Sequence, residues 1–584
     1  MNKIFAILAT TLALASCSMD FYRSDTMTSS MLSENPAAAE YTTDGNYALL
    51  KDRQEYSNDR SDNIYLKILF QMTEFRGDNT CLSGRTTSPV YNHITYTDHP
   101  SVPHLSYFWY ISYKIIYGCS SNIESIDEGI SVEMDHLLGE NYFLRAMCHL
   151  NLCNLYATPY SRGADKLGIV IRNSTDCSVT TRATVGEVYA QIVSDLENAM
   201  RLMKDGKRRG DAGYASYLAA KGLLTRVYLY MGEYQKCIDL ADEMLGGNPL
   251  SCLDDITTYF ANTRTSNETL WCIVKTEIDQ DYSPRSELAS LYYSPDSIGG
   301  TGWCEIYWSD PLIELMFRHP EDKRLSYFGV IGATNDGKKM LHWPVIDNAN
   351  RFRLNANVND IDFDLDAAEN VINYQDKKYT VKRTTERTGY PEYYIENLYP
   401  DVADDNDGFL GPKQTKVYVR DNVNVATGIR QTFPAYTMSK FSYQGGNPML
   451  ASPAVIRMGE IVLNVAEAYA HLGNESKALE YVNVIRTRAG IPTWTDMASC
   501  RKEGYTELID VVLDERRMEL CFEGHRAIDL YRNGKPIDRR FAGNQDWEVI
   551  ELTNDEKGLD FRFPYCIPFE ETSVSGIPGN GKNY

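Results

Sequence analysis

The sequence predicts a mainly α-helical protein, a tetratricopeptide-like scaffold of helix-turn-helix pairs with a loop-rich, irregular second subregion and a few short strands. Three observations lead there. Apolar residues recur at helical spacing over long stretches, as in Leu105, Phe108, Ile111, Ile115, Cys119, Ile123 and Ile126. One helix-pair pattern occurs twice, since adding 241 to Tyr228, Gly232 and Lys236 lands on Tyr469, Gly473 and Lys477. Between the two copies, residues 250–450 turn to Gly, Asn, Asp, Pro and Tyr and lose the helical period.

The elements follow in order. Ile4–Leu14 carries no charge; at about eleven residues it fits a secretory apolar segment, whereas a membrane span needs about 20. Leu14-Ala15-Ser16-Cys17 resembles a bacterial lipobox, so residues 1–16 are expected to be a lipoprotein signal peptide, Cys17 the lipidated residue and 17–37 a tether. Residues 38–584 then form one body. Helices are expected over 38–58, 60–76, 104–127, 133–157 and 183–204, the last opened by the cap-like Thr184. The first repeat pair covers 211–231 and 233–246, hinged at Met231-Gly232-Glu233, with Leu224, Tyr228, Tyr234 and Ala241 at interlocking positions. Neither helix of such a pair hides its apolar face alone, so pairs stack. The scaffold is thus 38–249 and 451–545, the ligand-facing loops lie in 250–450, and 546–584 is an extended tail broken by Pro564 and Pro568. Strand-like runs are short, as at Leu270–Val274 and Lys416–Val419.

Composition excludes several classes. A net charge of −22 supplies no phosphate-neutralising surface, which argues against nucleic acid and against adhesion to anionic lipid. Of 13 cysteines, several fall on apolar helix sides, among them Cys148, Cys153, Cys237 and Cys521, so mostly free, buried thiols are expected. No C-x-x-C occurs, and the histidines do not cluster with Cys at metal spacing. No cofactor is expected. The acidic stretch Asp401–Gly408 is like a calcium loop but has Ala403 at a ligand position and Gln414 in place of the closing Glu, so calcium is not supported.

Several blocks, in the right order, resemble the SusD/RagB family of outer-membrane nutrient-binding lipoproteins. They are Asn141-Tyr142-Phe143-Leu144-Arg145-Ala146, Ser194-Asp195-Leu196-Glu197, Arg457-Met458-Gly459-Glu460, Asn483-Val484-Ile485-Arg486, and above all Asp514-Glu515-Arg516-Arg517-Met518-Glu519-Leu520 with Glu523-Gly524-His525-Arg526 and Asp529. The near-terminal Ile567-Pro568-Phe569-Glu570 completes the set. The resemblance implies a mostly helical fold with four helix-turn-helix pairs. It also implies capture of oligosaccharide, or of peptide in some members, outside the cell, and a SusC-like TonB-dependent barrel as partner. It transfers no ligand-contact residue, because the family builds that surface from variable loops.

Read physically, Glu515, Glu519 and Glu523 lie one helical turn apart beside Arg516, Arg517 and Arg526, a spacing that locks adjacent helices through Arg–carboxylate contacts. The catalytic alternative makes Glu519 or Glu523 an acid–base pair with His525; the scaffold reading is preferred. No G-x-S-x-G, H-E-x-x-H or phosphate-binding glycine motif is present, so no enzyme is expected.

Sugar recognition asks for flat aromatic faces with polar groups beside them. Two loop clusters offer both. One holds Tyr292, Tyr293, Trp303, Cys304, Tyr307, Trp308 and Asp310; the other holds Arg76, Asp78, Asn79, Tyr91, Asn92 and Tyr96. A third group is Tyr390, Tyr393, Tyr394 and Tyr399. The residues chosen as ligand contacts are Arg76, Asp78, Asn79, Tyr91, Tyr292, Trp303, Tyr307, Trp308 and Tyr394. Arg76 is equally suited to a structural ion pair, and Tyr107, Tyr110, Tyr113 and Tyr117 are read as helix packing.

Overall fold

The computed structural model describes residues 36–56, 63–82, 89–279, 281–293, 302–330, 333–345, 355–400, 413–423, 436–541 and 548–580. The leader, Cys17 and Asp401–Gly408 lie outside them. The fold is mainly helical. Helix α1 spans Pro36–Lys51 and α2 Tyr65–Glu74. The first stops well before residue 58, because the polar run from Asp52 to Asn63 offers no apolar stripe to bury. Strand β1, Thr80–Leu82, follows.

Helices α3 (Pro103–Ser125), α4 (Val132–Tyr156) and α5 (Val185–Met203) form the N-terminal stack. Ser131 caps α4, its hydroxyl accepting the Met134 N–H at 3.2 Å, with Glu133 and Asp135 in the first turn. Thr184 and Glu187 cap α5 reciprocally. Arg145 on α4 grips Asp195 on α5 with two bonds of 2.9 and 2.7 Å. Of the α3 tyrosines, Tyr107 is buried, whereas Tyr110 and Tyr117 reach solvent.

The repeat pairs are α6 (Tyr217–Met231) with α7 (Tyr234–Leu245), and, after the insertion described next, α9 (Met458–His471) with α10 (Glu475–Ala489). Gly232 and Gly473 each turn the chain in the left-handed region, at φ 78° and 72°, where a side chain is disfavoured. The two pairs pack on each other. Arg226 of α6 donates twice to Glu460 of α9 at 2.6 Å, and Tyr481 of α10 donates to Asp242 of α7 at 3.0 Å.

The insertion contains more regular structure than its composition suggests. Strand β2 (Thr269–Cys272) pairs antiparallel with β12 (Ala454–Arg457), β3 (Ile306–Trp308) with β1, and β4 (Phe328–Val330) with β11 (Tyr436–Met438). The seven-residue α8, Asp310–Met316, follows β3. The rest is a six-stranded antiparallel sheet in the order β6-β5-β10-β9-β8-β7. Its strands are β5 (Lys339–Pro344), β6 (Asn355–Ile361), β7 (Glu369–Tyr374), β8 (Lys377–Thr384), β9 (Glu392–Glu396) and β10 (Gln414–Asp421). Leu341, Trp343, Ile372, Val381, Ile395 and Val417 give this sheet a hydrophobic cluster separate from the main core. The main core runs through the helices and takes in Phe143, Trp271, Trp308 and Phe522.

Helices α11 (Leu508–Leu520) and α12 (Arg526–Arg532) complete the scaffold. The signature block sits in its centre. Arg457 reaches Glu519 at 2.6 Å, Glu523 at 2.7 Å and Glu268 at 3.0 Å. Arg488 also joins Glu268 and Glu519, and Arg324 joins Asp322 and Glu515 at 2.7 and 2.8 Å. Lys440 donates to Glu523 at 2.7 Å and to the Glu519 and Cys521 carbonyls, both at 2.9 Å. Burial alone would push the Glu519 carboxyl up; Arg488, Arg457 and Arg324 outweigh it and hold the group well below the ordinary range. Glu523, Glu467 and Asp529 are lowered for the same reason, and Glu460 is held at about 2.

Such carboxylates contribute stability that is fully present above their ordinary titration range and is lost as pH falls toward their folded values. Glu74, Glu140 and Asp195, raised by burial, act with the opposite sign and offset part of the loss. Burial holds His93, His136, His149 and His525 neutral below the ordinary imidazole range, so the melting midpoint is expected to begin falling below about pH 6.5 and to fall more steeply between about pH 4.5 and 2. A scanning-calorimetry series that finds it unchanged at about pH 2.5 contradicts this account.

The twelve described cysteines are free. Ten are buried, Cys252 is intermediate and Cys177 is exposed. Among the described residues no helix is long and apolar enough to cross a membrane.

Candidate functional site

The exposed aromatic surface lies where the segment 285–293, the strand lead-in 302–305 and the turn 443–447 meet. Backbone hydrogen bonds fix the first two against each other. Cys304 and Glu305 donate their N–H groups to the carbonyls of Ser290 and Leu291 at 2.8 and 3.0 Å, and Trp303 donates its N–H to the Ser290 hydroxyl at 3.1 Å. Gly302 permits this approach. A Cβ there would sit 2.4 Å from the Tyr293 carbonyl oxygen and 3.2 Å from the Met449 methyl, contacts that would push the strand away.

Trp303 emerges from this junction with 42% of its surface exposed. The Arg285 guanidinium lies 5.3 Å from its ring centroid, within cation–π range. Tyr293 is half-buried beside it, and its hydroxyl meets that of Tyr443. Those two rings are 5.8 Å apart, tilted by 58°. Tyr443 is 43% exposed and adopts φ 69°, a costly backbone for a bulky residue. A tight turn holds it, with its N–H donating to the Asn447 carbonyl at 2.8 Å and the Gly446 N–H donating back to the Tyr443 carbonyl at 3.0 Å. Around the rings lie polar groups. Asn447 donates its side-chain amide to Glu277 and to the Tyr282 hydroxyl, and the Gln444 amide donates to the Lys275 carbonyl at 2.8 Å. Flat rings with amides, hydroxyls and a guanidinium beside them are suited to a pyranose, whose C–H faces stack while its hydroxyls hydrogen-bond.

Most residues predicted from the sequence lie elsewhere. Of the nine chosen, Trp303 is exposed, Tyr91 and Tyr394 are half-buried and the other six are buried. Arg76 is enclosed by the rings of Tyr96, Phe563 and Tyr565 and paired with Asp98. Asp78 is held by Arg526 at 2.7 Å and Arg517 at 3.3 Å, and these guanidiniums depress its carboxyl strongly despite burial. Asn79 bridges Glu74 and Arg517 at 2.9 and 2.8 Å. The cluster 76–79 is thus the docking point for the C-terminal signature block and tail, and most of its polar atoms are already used, the buried Arg76 Nε being the exception. Tyr292 packs among Phe75, Phe441 and Phe522. Trp308 packs on Phe328 and Phe522, and Tyr307 lies in a small cluster with Cys81, Cys304 and Phe541. The strand boundary explains the split, since pairing with β1 carries residues 306–308, all three buried, into the interior and leaves Trp303 before the strand outside.

Of the neighbours, Tyr96 is buried with its hydroxyl donating to the Arg76 carbonyl, Asp310 pairs with Arg420, and Tyr393 and Tyr399 serve the sheet cluster. Tyr443, Arg285 and Asn447 were missed by sequence reading. The glycine pair Gly445-Gly446 after Tyr443 was the available signal, marking a tight turn that presents an aromatic residue.

Comparison with known proteins places the chain in a family. The SusD family model matches residues 280–561, and a second model, described as starch-binding associating with outer membrane, matches residues 25–229. The SusD-like protein P38 of Formosa agariphila is 23% identical over 482 residues, covering 80% of each chain. A SusD superfamily protein of Bacteroides thetaiotaomicron superposes with a TM-score of 0.65 at 21% identity, over 94% of this chain and 100% of that one. A laminarin-binding SusD-like protein superposes with a TM-score of 0.56 at 18% identity, over 94% and 99%. With the helical scaffold, the buried Glu-Arg-Arg block and these matches together, the chain belongs to the SusD/RagB family and is a SusD-like protein.

Proposed function

We propose that this protein is a cell-surface, lipid-anchored glycan-binding protein that captures oligosaccharides on the Tyr293–Trp303–Tyr443 platform and delivers them, unaltered, to a SusC-like TonB-dependent barrel in the outer membrane. The observation that carries the reading is the exposed Trp303 ring, held out by Gly302 and flanked by Tyr293, Tyr443 and Arg285. Support comes from the outer-membrane, starch-binding description of the N-terminal family match and from the laminarin-binding relative. Of the carboxylates that a hydrolytic mechanism would recruit from the signature block, Glu519 is fully buried and the Glu523 side chain is 4% exposed, and both are engaged by Arg457, with Arg488 on Glu519 and Lys440 on Glu523.

Affinity electrophoresis against a panel of polysaccharides tests the binding step, with binding to at least one glycan expected and release of reducing sugar absent. Robust peptide binding with no retention on any glycan would replace oligosaccharide by peptide as the cargo. Co-purification with a barrel from detergent-solubilised outer membranes tests the delivery step.

The anchor has its own test. With each buried CH₂ worth about 0.8 kcal/mol, two or three acyl chains on Cys17 hold a protein firmly where one does not. Cys17→Ala is expected to abolish palmitate labelling and to move the protein from the detergent phase to the aqueous phase. Retention of label by the variant would remove the lipid anchor from this scheme.

A further inference from the structure

Apart from the platform, a cavity of about 800 Å³ opens between α8 with its C-terminal extension and the sheet strands β9 and β10. That volume falls within the roughly 300–1,000 Å³ typical of small-ligand sites. None of Tyr293, Trp303, Tyr443 and Arg285 lines it.

Three features of the lining point to a particular ligand chemistry. Phe317 presents a ring that is 43% exposed. Next to it, the Arg318 guanidinium lies 5.2 Å from the Tyr390 ring and 6.0 Å from the Tyr505 ring. Its hydrogen bond is to the Tyr505 hydroxyl at a marginal 3.5 Å, and among the described residues no carboxylate lies within ion-pair distance of it. Arg420 is 8% exposed and holds Asp310 at 2.8 Å through one terminal nitrogen, yet its Nε is buried without a hydrogen-bond partner. Two of the acidic groups in the lining are already engaged, and Asp514 accepts from the Tyr505 hydroxyl at 3.1 Å. Lys416 takes Glu314 at 2.6 Å and Glu392 at 3.4 Å, and Arg387 also pairs with Glu392. In a chain of net charge −22, a half-buried arginine left without a carboxylate beside an exposed ring is a free anion receptor. The overall charge opposes an anion at a distance, but screening over about 8 Å at physiological salt leaves the local guanidinium in control.

We propose that this cavity is a second saccharide subsite, selective for an acidic sugar unit whose carboxylate or sulfate group pairs with Arg318. The sugar face packs on Phe317 and Tyr390. Planar guanidinium suits both oxyanions, because two parallel N–H groups meet two oxygens. The inference deepens the glycan reading and assigns part of the ligand's chemistry.

Isothermal titration of the mature full-length chain with oligogalacturonides, sulfated carrageenan oligosaccharides and neutral laminarin oligosaccharides at 0.15 M salt tests it. At least one acidic series is expected to bind. Arg318→Gln is expected to weaken that binding at least tenfold, Arg318→Lys less, and both to leave neutral ligands within twofold. Preference for the first series assigns the carboxylate and for the second the sulfate. An acidic series bound equally by wild type and Arg318→Gln overturns the proposal, as does the failure of both acidic series while a neutral one binds. Should Trp303→Ala be silent and neutral ligands fail while Arg318-dependent acidic binding persists, the platform reading falls and the cavity stands. Should every series fail, saturation-transfer spectra with free galacturonate and with a sulfated monosaccharide decide the cavity alone, and absence of any Arg318-dependent signal overturns it. If Arg318→Gln does not fold, Phe317→Ala takes its place with the same expected loss.

Discussion

Glu519→Gln is expected to cost about 3–5 kcal/mol of folding stability, the range for breaking a buried ion pair by removing one charged partner. Glu519 lies at the centre of the interior charge network, with Arg457 at 2.6 Å, Arg488 in direct contact and Arg324 at 3.7 Å. Losing its charge leaves three guanidiniums sharing fewer carboxylates in a region with no solvent to take up the difference. The Gln amide adds two donors where acceptors are required. Urea unfolding of the variant, beside Glu480→Gln as a control at an exposed helical pair with Lys477, measures this. The control is expected to change stability by less than about 0.5 kcal/mol. A loss below about 1 kcal/mol at Glu519 would show that the network is not the keystone of the scaffold. Replacing the whole set of charges by apolar residues of matching volume is a different experiment, because the desolvation cost disappears with the charges.

The largest effect on binding is expected from Trp303→Ala. The ring is the most prominent side chain of the platform, and interface hot spots of this kind cost about 2 kcal/mol or more when truncated, roughly a 30-fold rise in Kd. Folding should be unaffected, because the ring is outside the core and its position depends on backbone bonds and on Gly302. Titration calorimetry with the best ligand from the polysaccharide panel, and far-ultraviolet circular dichroism as the fold control, read the two quantities separately. Affinity unchanged within twofold would mean that the platform is not where the sugar binds.

How far the sequence could be read depended on how local each signal was. Helices α3, α4, α5 and α7 were legible within a few residues because their apolar spacing and caps are properties of the helix itself, whereas α6 starts at Tyr217 and not at 211. The paired glycines at 232 and 473 marked the same hinge in both repeats. The sheet was harder. Strands such as Lys377–Thr384 bury only Val381 fully, so alternation is faint among charged residues. The hairpin between β7 and β8 turns through Gln375 and Asp376 at φ 49° and 60°, where the usual signal would be Asn-Gly.

The candidate site was the least legible part. Arg76, Asp78 and Asn79 have the composition of a sugar-binding loop, but their partners are Asp98, Arg517, Arg526 and the C-terminal tail, some of them more than 400 residues away. Burial of this kind is decided by tertiary pairing that spacing does not encode. Trp303 and Trp308 are nearly alike in sequence context, and the pairing of β3 with β1 alone separates a surface ring from a core ring.

The six-stranded sheet keeps its apolar interior to itself while supplying one wall of the 800 Å³ cavity; the helices supply the other. Such an arrangement uncouples selection for folding from selection for cargo. Drift or exchange within residues 339–421 can redraw what the cavity accepts while the arginine–glutamate lattice beneath stays untouched. A lineage facing a new polymer could then retool one exchangeable cassette and inherit the chassis unchanged.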